Sequence, residues 1–243
     1  MIYTYLKTKD INLKMLSNKL FAHRGLSSLF PENTLLSFEH AVLKGYQCIE
    51  CDILLTKDMI PIVCHDENLK KLTGIDLNLI DITFNDFKKL KIYQKNKMPT
   101  EPCSLNELLS WKKKHPFLKI NLELKSQQGI LPKELLNILK NFDLGPDTIV
   151  LSSFNQNISI ECLKIFPEYQ FSFLSHQFTD AEEIFCLNHG ISSINLDVQH
   201  ITIELITKLV TSNISLGLFT INDWSTINYY LSQKIQRIFT DHP

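Results

Sequence analysis

The chain predicts a (β/α)₈ barrel. Eight short runs are rich in β-branched and aromatic residues, helix-like segments lie between most of them, and no glycine-rich phosphate loop follows the first run. Strand and helix in alternation imply a parallel sheet, and the missing loop favours a closed barrel over an open doubly wound sheet. The first predicted strand is Leu20 to Arg24, followed by a helix over Asn33 to Lys44 and a second strand over Gln47 to Thr56. Further strands follow at Lys119 to Lys125, Thr148 to Phe154, Gln170 to Ser175, Ser193 to Asp197, Ser215 to Ile221 and Arg237 to Thr240. Helices are predicted over Pro132 to Asn141, Thr179 to His189, Ile201 to Thr211 and Asp223 to Gln233. One further helix start is marked by Ser104 and Glu107 ahead of Leu108, Leu109 and Trp111, a capping box before an apolar stripe.

One element departs from the alternation. Gln47 to Thr56 and Ile60 to His65 are separated by too few residues for a parallel crossover, so they form an antiparallel hairpin arm after the second strand. With Lys57-Asp58 as the turn, His65 lies opposite Glu50, Val63 opposite Asp52 and Cys51 opposite Cys64. Pro61 suits an edge arm better than a central strand.

At 243 residues and 44% hydrophobic content, the chain suffices for one large domain, expected over residues 1–243. A net charge of −1, without a clustered basic face, gives no electrostatic footprint for nucleic acid or an anionic membrane, and points to small-molecule work. Met1 to Leu20 scatter lysines among short apolar stretches with no continuous apolar core, and nowhere do about 18 apolar residues run together. The expectation is a cytoplasmic protein without a transmembrane segment. The six cysteines offer no second C-x-x-C to pair with Cys48–Cys51, so buried reduced thiols are expected rather than zinc or a disulfide scaffold.

The chemistry concentrates at strand ends. Alternation places Cys48, Glu50 and Asp52 on one face of the second strand, and Asn121, Glu123 and Lys125 on one face of the next barrel strand. Barrel enzymes build their sites at the C-terminal ends of their strands. Carboxylates at i and i+2 repel unless a cation or a proton lies between them, and Glu50, Asp52 and Glu123 together read as ligands of one hard divalent cation. His23 closes the first strand, and with His65 it supplies two imidazoles that can share proton donation and removal. Beside His23, Arg24 is suited to clamping phosphate oxygens bidentately. Lys125 reads either as a snorkelling strand end or as a phosphate ligand, and its position favours the ligand. The other six histidines, His176 among them, read as surface or packing residues. The combination fits metal-assisted cleavage of a phosphate ester.

The motifs His23-Arg24-Gly25, Pro31-Glu32-Asn33-Thr34, Ile49-Glu50-Cys51-Asp52 and Val63-Cys64-His65-Asp66 open a longer match. Asn121-Leu122-Glu123-Leu124-Lys125, Ser153-Phe154, Phe219-Thr220-Ile221-Asn222 and Phe239-Thr240-Asp241-His242-Pro243 continue it in order. Over residues 20 to 243 the chain resembles the glycerophosphodiester phosphodiesterases. The resemblance implies hydrolysis of a glycerophosphodiester to sn-glycerol 3-phosphate and an alcohol, with His23 and His65 as the acid/base pair. It likewise implies Glu50, Asp52 and Glu123 as ligands of Ca²⁺ or Mg²⁺, and Arg24 and Lys125 as phosphate contacts. Phe219 stands where that family usually has Trp, which keeps an aromatic wall beside the substrate but bears on its preference. The segment Glu67 to Pro102 has little aromatic content, which argues against a large lipid-binding cap and for small, water-soluble substrates. A lysophospholipase D type activity and a non-catalytic phosphodiester-binding barrel are the competing readings.

Overall fold

The computed structural model describes residues 18–94, 97–125 and 131–242; the N-terminal expectations above fall largely outside them. Eight parallel strands form the barrel: β1 (Leu20–His23), β2 (Cys48–Leu55), β5 (Lys119–Leu124), β6 (Ile149–Ser153), β7 (Gln170–Ser175), β8 (Ser193–Asp197), β9 (Ser215–Phe219) and β10 (Arg237–Thr240). Each pairs with the next, and β1 closes the ring by pairing with both β10 and β2. Helices α1 (Leu35–Leu43), α4 (Leu105–Lys112), α5 (Leu131–Phe142), α6 (Gln156–Ile165), α7 (Asp180–His189), α8 (Ile203–Thr211) and α9 (Trp224–Ser232) make the crossovers.

Strand alternation sets the layers. Ile49, Cys51, Ile53, Ile120, Leu122 and Leu124 point outward into the main core beneath the helices. Their inward neighbours are the polar set Glu50, Asp52, Asn121 and Glu123, so the barrel interior is free to carry chemistry. Local sequence fixes the helix starts. Ser104 Oγ accepts from the Glu107 backbone while Glu107 reaches back to the Ser104 N–H at 2.8 Å, the predicted capping box. Thr34 and Ser37 form another at α1. The Ser37 hydroxyl also donates to the Arg24 carbonyl at 3.0 Å, so closely against Gly25 that a Cβ there would lie 2.3 Å from Ser37 Oγ. Gly25, at φ 82°, is therefore required twice over.

The hairpin is present but differs from expectation in three ways. Strand β3 (Pro61–Val63) pairs antiparallel with β2 in the register Ile53 to Val63 and Leu55 to Pro61, one residue away from that expected. The turn holds three residues, because the Thr56 N–H bonds the Ile60 carbonyl at 3.2 Å and Met59 takes a left-handed φ of 61°. Cys64 accordingly sits opposite Asp52, its N–H donating to the Asp52 carbonyl at 3.0 Å. Cys51 lies in the main core and Cys64 in a separate cluster with Ile62, Leu69, Leu79 and Phe87, so the expected Cys51–Cys64 contact is absent. Finally, β3 is no edge arm, since its other side pairs with β4 (Cys103–Ser104). Pro61 is tolerated as the first residue of the strand.

The short helices α2 (Lys70–Thr73) and α3 (Phe84–Phe87) lie in the segment that caps this small cluster. No helix among the described residues is long and apolar enough to cross a membrane. All six cysteines are buried and none is in a disulfide among the described residues.

Candidate active site

His23 closes β1, Glu50 and Asp52 lie along the middle of β2 and Glu123 is the penultimate residue of β5, and the ladder registers bring them together. His23 pairs with Glu50, Glu50 with Asn121, and Asp52 with Glu123. Oxygens of Glu50, Asp52 and Glu123 lie within 4.8 Å of one another, and all three side chains are buried. Such a cluster is electrostatically costly. Burial, then the charges of Asp52 and Glu123, push the Glu50 carboxyl well up; burial and Asp52 do the same to Glu123. Asp52 is different. Burial pushes it up, but the Arg24, Lys125 and imidazole charges outweigh that and hold it below its ordinary value.

The surrounding cations and amides are placed with care. The Arg24 backbone, at φ 57°, donates its N–H to Glu50 Oε2 at 3.0 Å. Its guanidinium donates to Glu32 Oε1 at 2.8 Å and pairs with Asp52 Oδ2 at 3.2 Å. Two nitrogens of the fork, Nη1 and Nε, are therefore engaged by carboxylates of the chain, and the same guanidinium lines the cavity described below. Asn33, also left-handed at φ 57°, donates to Asp52 Oδ2 at 2.8 Å. Lys125 Nζ lies 2.6 Å from Glu123 Oε1 and 3.3 Å from Asp52 Oδ1.

The donor set fits a hard divalent cation. Among the described residues Glu50 Oε1 is buried without a hydrogen-bond partner, and Asp52 Oδ1 and Glu123 Oε1 meet only the Lys125 ammonium. Three convergent carboxylate oxygens, with no soft ligand among them, are the chemistry that Ca²⁺ and Mg²⁺ prefer.

Both imidazoles line the same cavity of about 410 Å³ as Glu50, Glu123 and Lys125. His23 Nδ1 bonds Asp241 Oδ1 at 2.7 Å, and its Nε2 lies 3.8 Å from Glu50 Oε2. Asp241 is held in turn by the Ser27 hydroxyl at 3.1 Å and the Asn222 amide at 3.1 Å. Burial pulls the His23 pKa down, but the Asp241 hydrogen bond and the Glu50 charge outweigh it and leave the group above its ordinary value. His65 titrates the other way. Burial lowers it, Arg24 and Lys125 add to the effect, and the Asp52 charge does not compensate. His65 reaches the cavity because the chain leaves the ladder after Val63 and bends at His65; continued pairing in the observed register would have put it on the outward face with Cys51. Its Nδ1 is fixed by Asp66 Oδ1 at 2.5 Å.

The far wall is aromatic. Phe219 packs edge-on to Phe154 at 5.8 Å, and His176 stacks on Phe154 at 5.0 Å. His176 is a largely exposed surface residue, as expected, and it stands at the rim of this cavity. Asn121, Ser152 and Asn195 form a polar lining deeper in the barrel. The structure therefore brings together all eight residues singled out in the sequence and adds Asp241, Asp66, Glu32, Asn33, Phe154 and His176. Asp241 was within reach: barrel closure pairs Ala22 with Thr240, which puts the residue after β10 beside His23.

Fold and site define a (β/α)₈-barrel hydrolase in which a carboxylate cluster is flanked by two imidazoles. The chain belongs to the glycerophosphoryl diester phosphodiesterase family, whose model matches residues 23–243. It is 27% identical to a glycerophosphodiester phosphodiesterase of Bacillus altitudinis, over 93% of this chain and 95% of that one. It is 30% identical to an uncharacterized Bacillus subtilis protein, YqiK, again over 93% and 95%. Among solved structures, an Oleispira antarctica phosphodiesterase in complex with the product sn-glycerol-3-phosphate superposes with a TM-score of 0.84 at 23% identity, over 95% of each chain. The chain is a phosphoric diester hydrolase of the glycerophosphodiester class.

Proposed function

We propose that this barrel hydrolyses small glycerophosphodiesters to sn-glycerol 3-phosphate and an alcohol by divalent-cation-assisted acid/base catalysis between His23 and His65. The observation that supports the reading most strongly is that two imidazoles, each oriented by its own carboxylate, line one cavity with a buried three-carboxylate cluster.

Glu50, Asp52 and Glu123 would hold one Ca²⁺ or Mg²⁺. When bound, the ion supplies Lewis-acid stabilisation of a nonbridging phosphate oxygen and lowers the pKa of an adjacent hydroxyl. One imidazole accepts the proton of the glycerol 2-hydroxyl as that oxygen attacks phosphorus. The other protonates the alkoxide that leaves, so the proton count closes; water then opens the cyclic phosphate with the roles reversed. The opposed shifts of the two rings suit His65 to accept first and His23 to donate first. The Lys125 ammonium contributes positive charge toward the phosphate, and Arg24 adds its remaining amino group while bracing Glu32 and Asp52. Phe219, with Phe154, forms an aromatic wall beside the substrate. One barrel domain, acting in the cytoplasm on water-soluble diesters, completes the reading; the buried cysteines outside any disulfide and the modest cavity support it.

The test is release of glycerol 3-phosphate from glycerophosphoethanolamine and glycerophosphocholine with Ca²⁺, Mg²⁺ or EDTA, with His23→Ala as control. Cation-dependent product that disappears in the variant supports the reading. Cleavage of a lysophospholipid alone would transfer the site to lysophospholipase D chemistry, and silence on every substrate would leave a binding barrel.

A further inference from the structure

The barrel has a second cavity, of about 460 Å³, at the mouth opposite the carboxylates. It is built on the N-terminal ends of the strands, and four of its lining residues are cations: Lys19, Lys119, Lys234 and Arg237. No Asp or Glu lines it among the described residues. Arg237 carries the argument. Its side chain points into the barrel from the first residue of β10 and is only 9% exposed, and its Nη1 donates to Ser172 Oγ at 3.0 Å and Ser193 Oγ at 2.7 Å.

Those partners are neutral hydroxyls. No carboxylate among the described residues pairs with the guanidinium, and burial pulls its pKa down to about 10. A buried charge is ordinarily retained only with a counter-charge, because hydroxyl dipoles return a fraction of the desolvation cost. The neighbouring ammonium groups make the imbalance larger rather than smaller. Lys19 Nζ donates to the Ile235 carbonyl at 3.1 Å, and neither Lys119 nor Lys234 has a carboxylate partner among the described residues. The uncharged lining adds the amide side chains of Gln170 and Gln236.

We propose that this mouth is a binding site for a phosphate-bearing small molecule, its phosphate group seated between Arg237, Lys119 and Lys234. A guanidinium fork flanked by ammonium groups, with amide donors and no acid, selects a multiply charged oxyanion. The volume leaves room for an organic substituent beyond the phosphate itself. The site is separate from the catalytic cavity: Phe21 lines the cationic mouth and Phe239 the catalytic one, and their rings, 5.1 Å apart, form the partition.

Isothermal titration of the whole protein with inorganic phosphate, in EDTA, tests it. The parent should bind saturably at one site. Lys119→Gln combined with Lys234→Gln should weaken that binding at least tenfold while leaving the melting temperature in phosphate-free buffer unchanged. Lys125→Gln, in the other cavity, should leave the affinity as it was. Absence of binding, undiminished affinity in the double variant, or a loss that follows Lys125→Gln instead, each overturns the proposal. Arg237→Met gives an independent reading, since it should abolish the phosphate-dependent rise in melting temperature; a variant that keeps the rise also overturns it.

Discussion

At the scale of single residues, the two histidines and the carboxylates have different jobs, and substitutions should separate them. His23→Ala and His65→Ala remove proton transfer without touching the oxygen ligands, so turnover should fall by at least the 10²–10⁴-fold typical of a lost general acid or base, while Ca²⁺ affinity stays near that of the parent. Glu123→Ala should lose both, because it removes one of the three convergent oxygens. Equal loss of cation affinity in all three variants would overturn the assignment. Asp241 acts one step back, through His23. The hydrogen bond and charge of Asp241 help to keep the His23 pKa raised, and a group needed protonated stops working as pH rises through its pKa. Asp241→Asn should therefore move the alkaline limb of the pH–rate profile to lower pH, beyond any general loss of rate. A limb that stays in place would show that Asp241 does no more than pack against the ring.

At the scale of elements, what could be read in the chain depended on whether the governing interactions were local. The barrel strands and the start of α4 were legible because alternation, β-branched runs and side chains such as Ser104 and Glu107 announce them within a few residues. The carboxylate cluster was legible for the same reason, since i and i+2 on one strand share a face whatever the rest of the fold does. The hairpin register was not. It hinges on Met59 adopting a left-handed φ of 61°, a conformation that sequence normally signals with Gly or Asn, and one extra turn residue shifts every pairing by one. Long-range partners such as Glu32 for Arg24 and Asp241 for His23 depend on closure of the ring and carry no local mark. The hairpin assignment is itself testable. In a two-residue turn Met59 would be an extended strand residue, where Val is favoured; in the observed turn Met59→Val places a β-branched side chain at positive φ and should cost about 1–2 kcal/mol. Denaturant unfolding measures it, and a stabilised Val variant would restore the two-residue turn.

At the scale of the whole molecule, the carboxylate cluster couples stability to both pH and cation. Burial, with mutual repulsion, raises Glu50 to about 8 and Glu123 to about 7, so across the range from their unfolded values to these the folded protein binds more protons than the unfolded chain. Stability must then fall as pH rises through that window. Asp52 shifts the other way, but its contribution is complete once pH exceeds its unfolded value and does not offset the decline above it. A divalent cation reverses the sign, because it binds the ionised cluster of the folded chain and competes with the protons. At a free concentration one hundred times its Kd it contributes about 2.7 kcal/mol, which for a domain of this size is roughly 5–10 °C in melting temperature. In EDTA the melting temperature should therefore decline between pH 5.5 and 8, and the gain on adding Ca²⁺ should grow over the same interval. Glu123→Gln should flatten both trends, since it removes a titrating group and a ligand together. Calorimetric scans at several pH values decide the matter: a cation-induced gain that is constant with pH would mean that the ion binds elsewhere on the barrel.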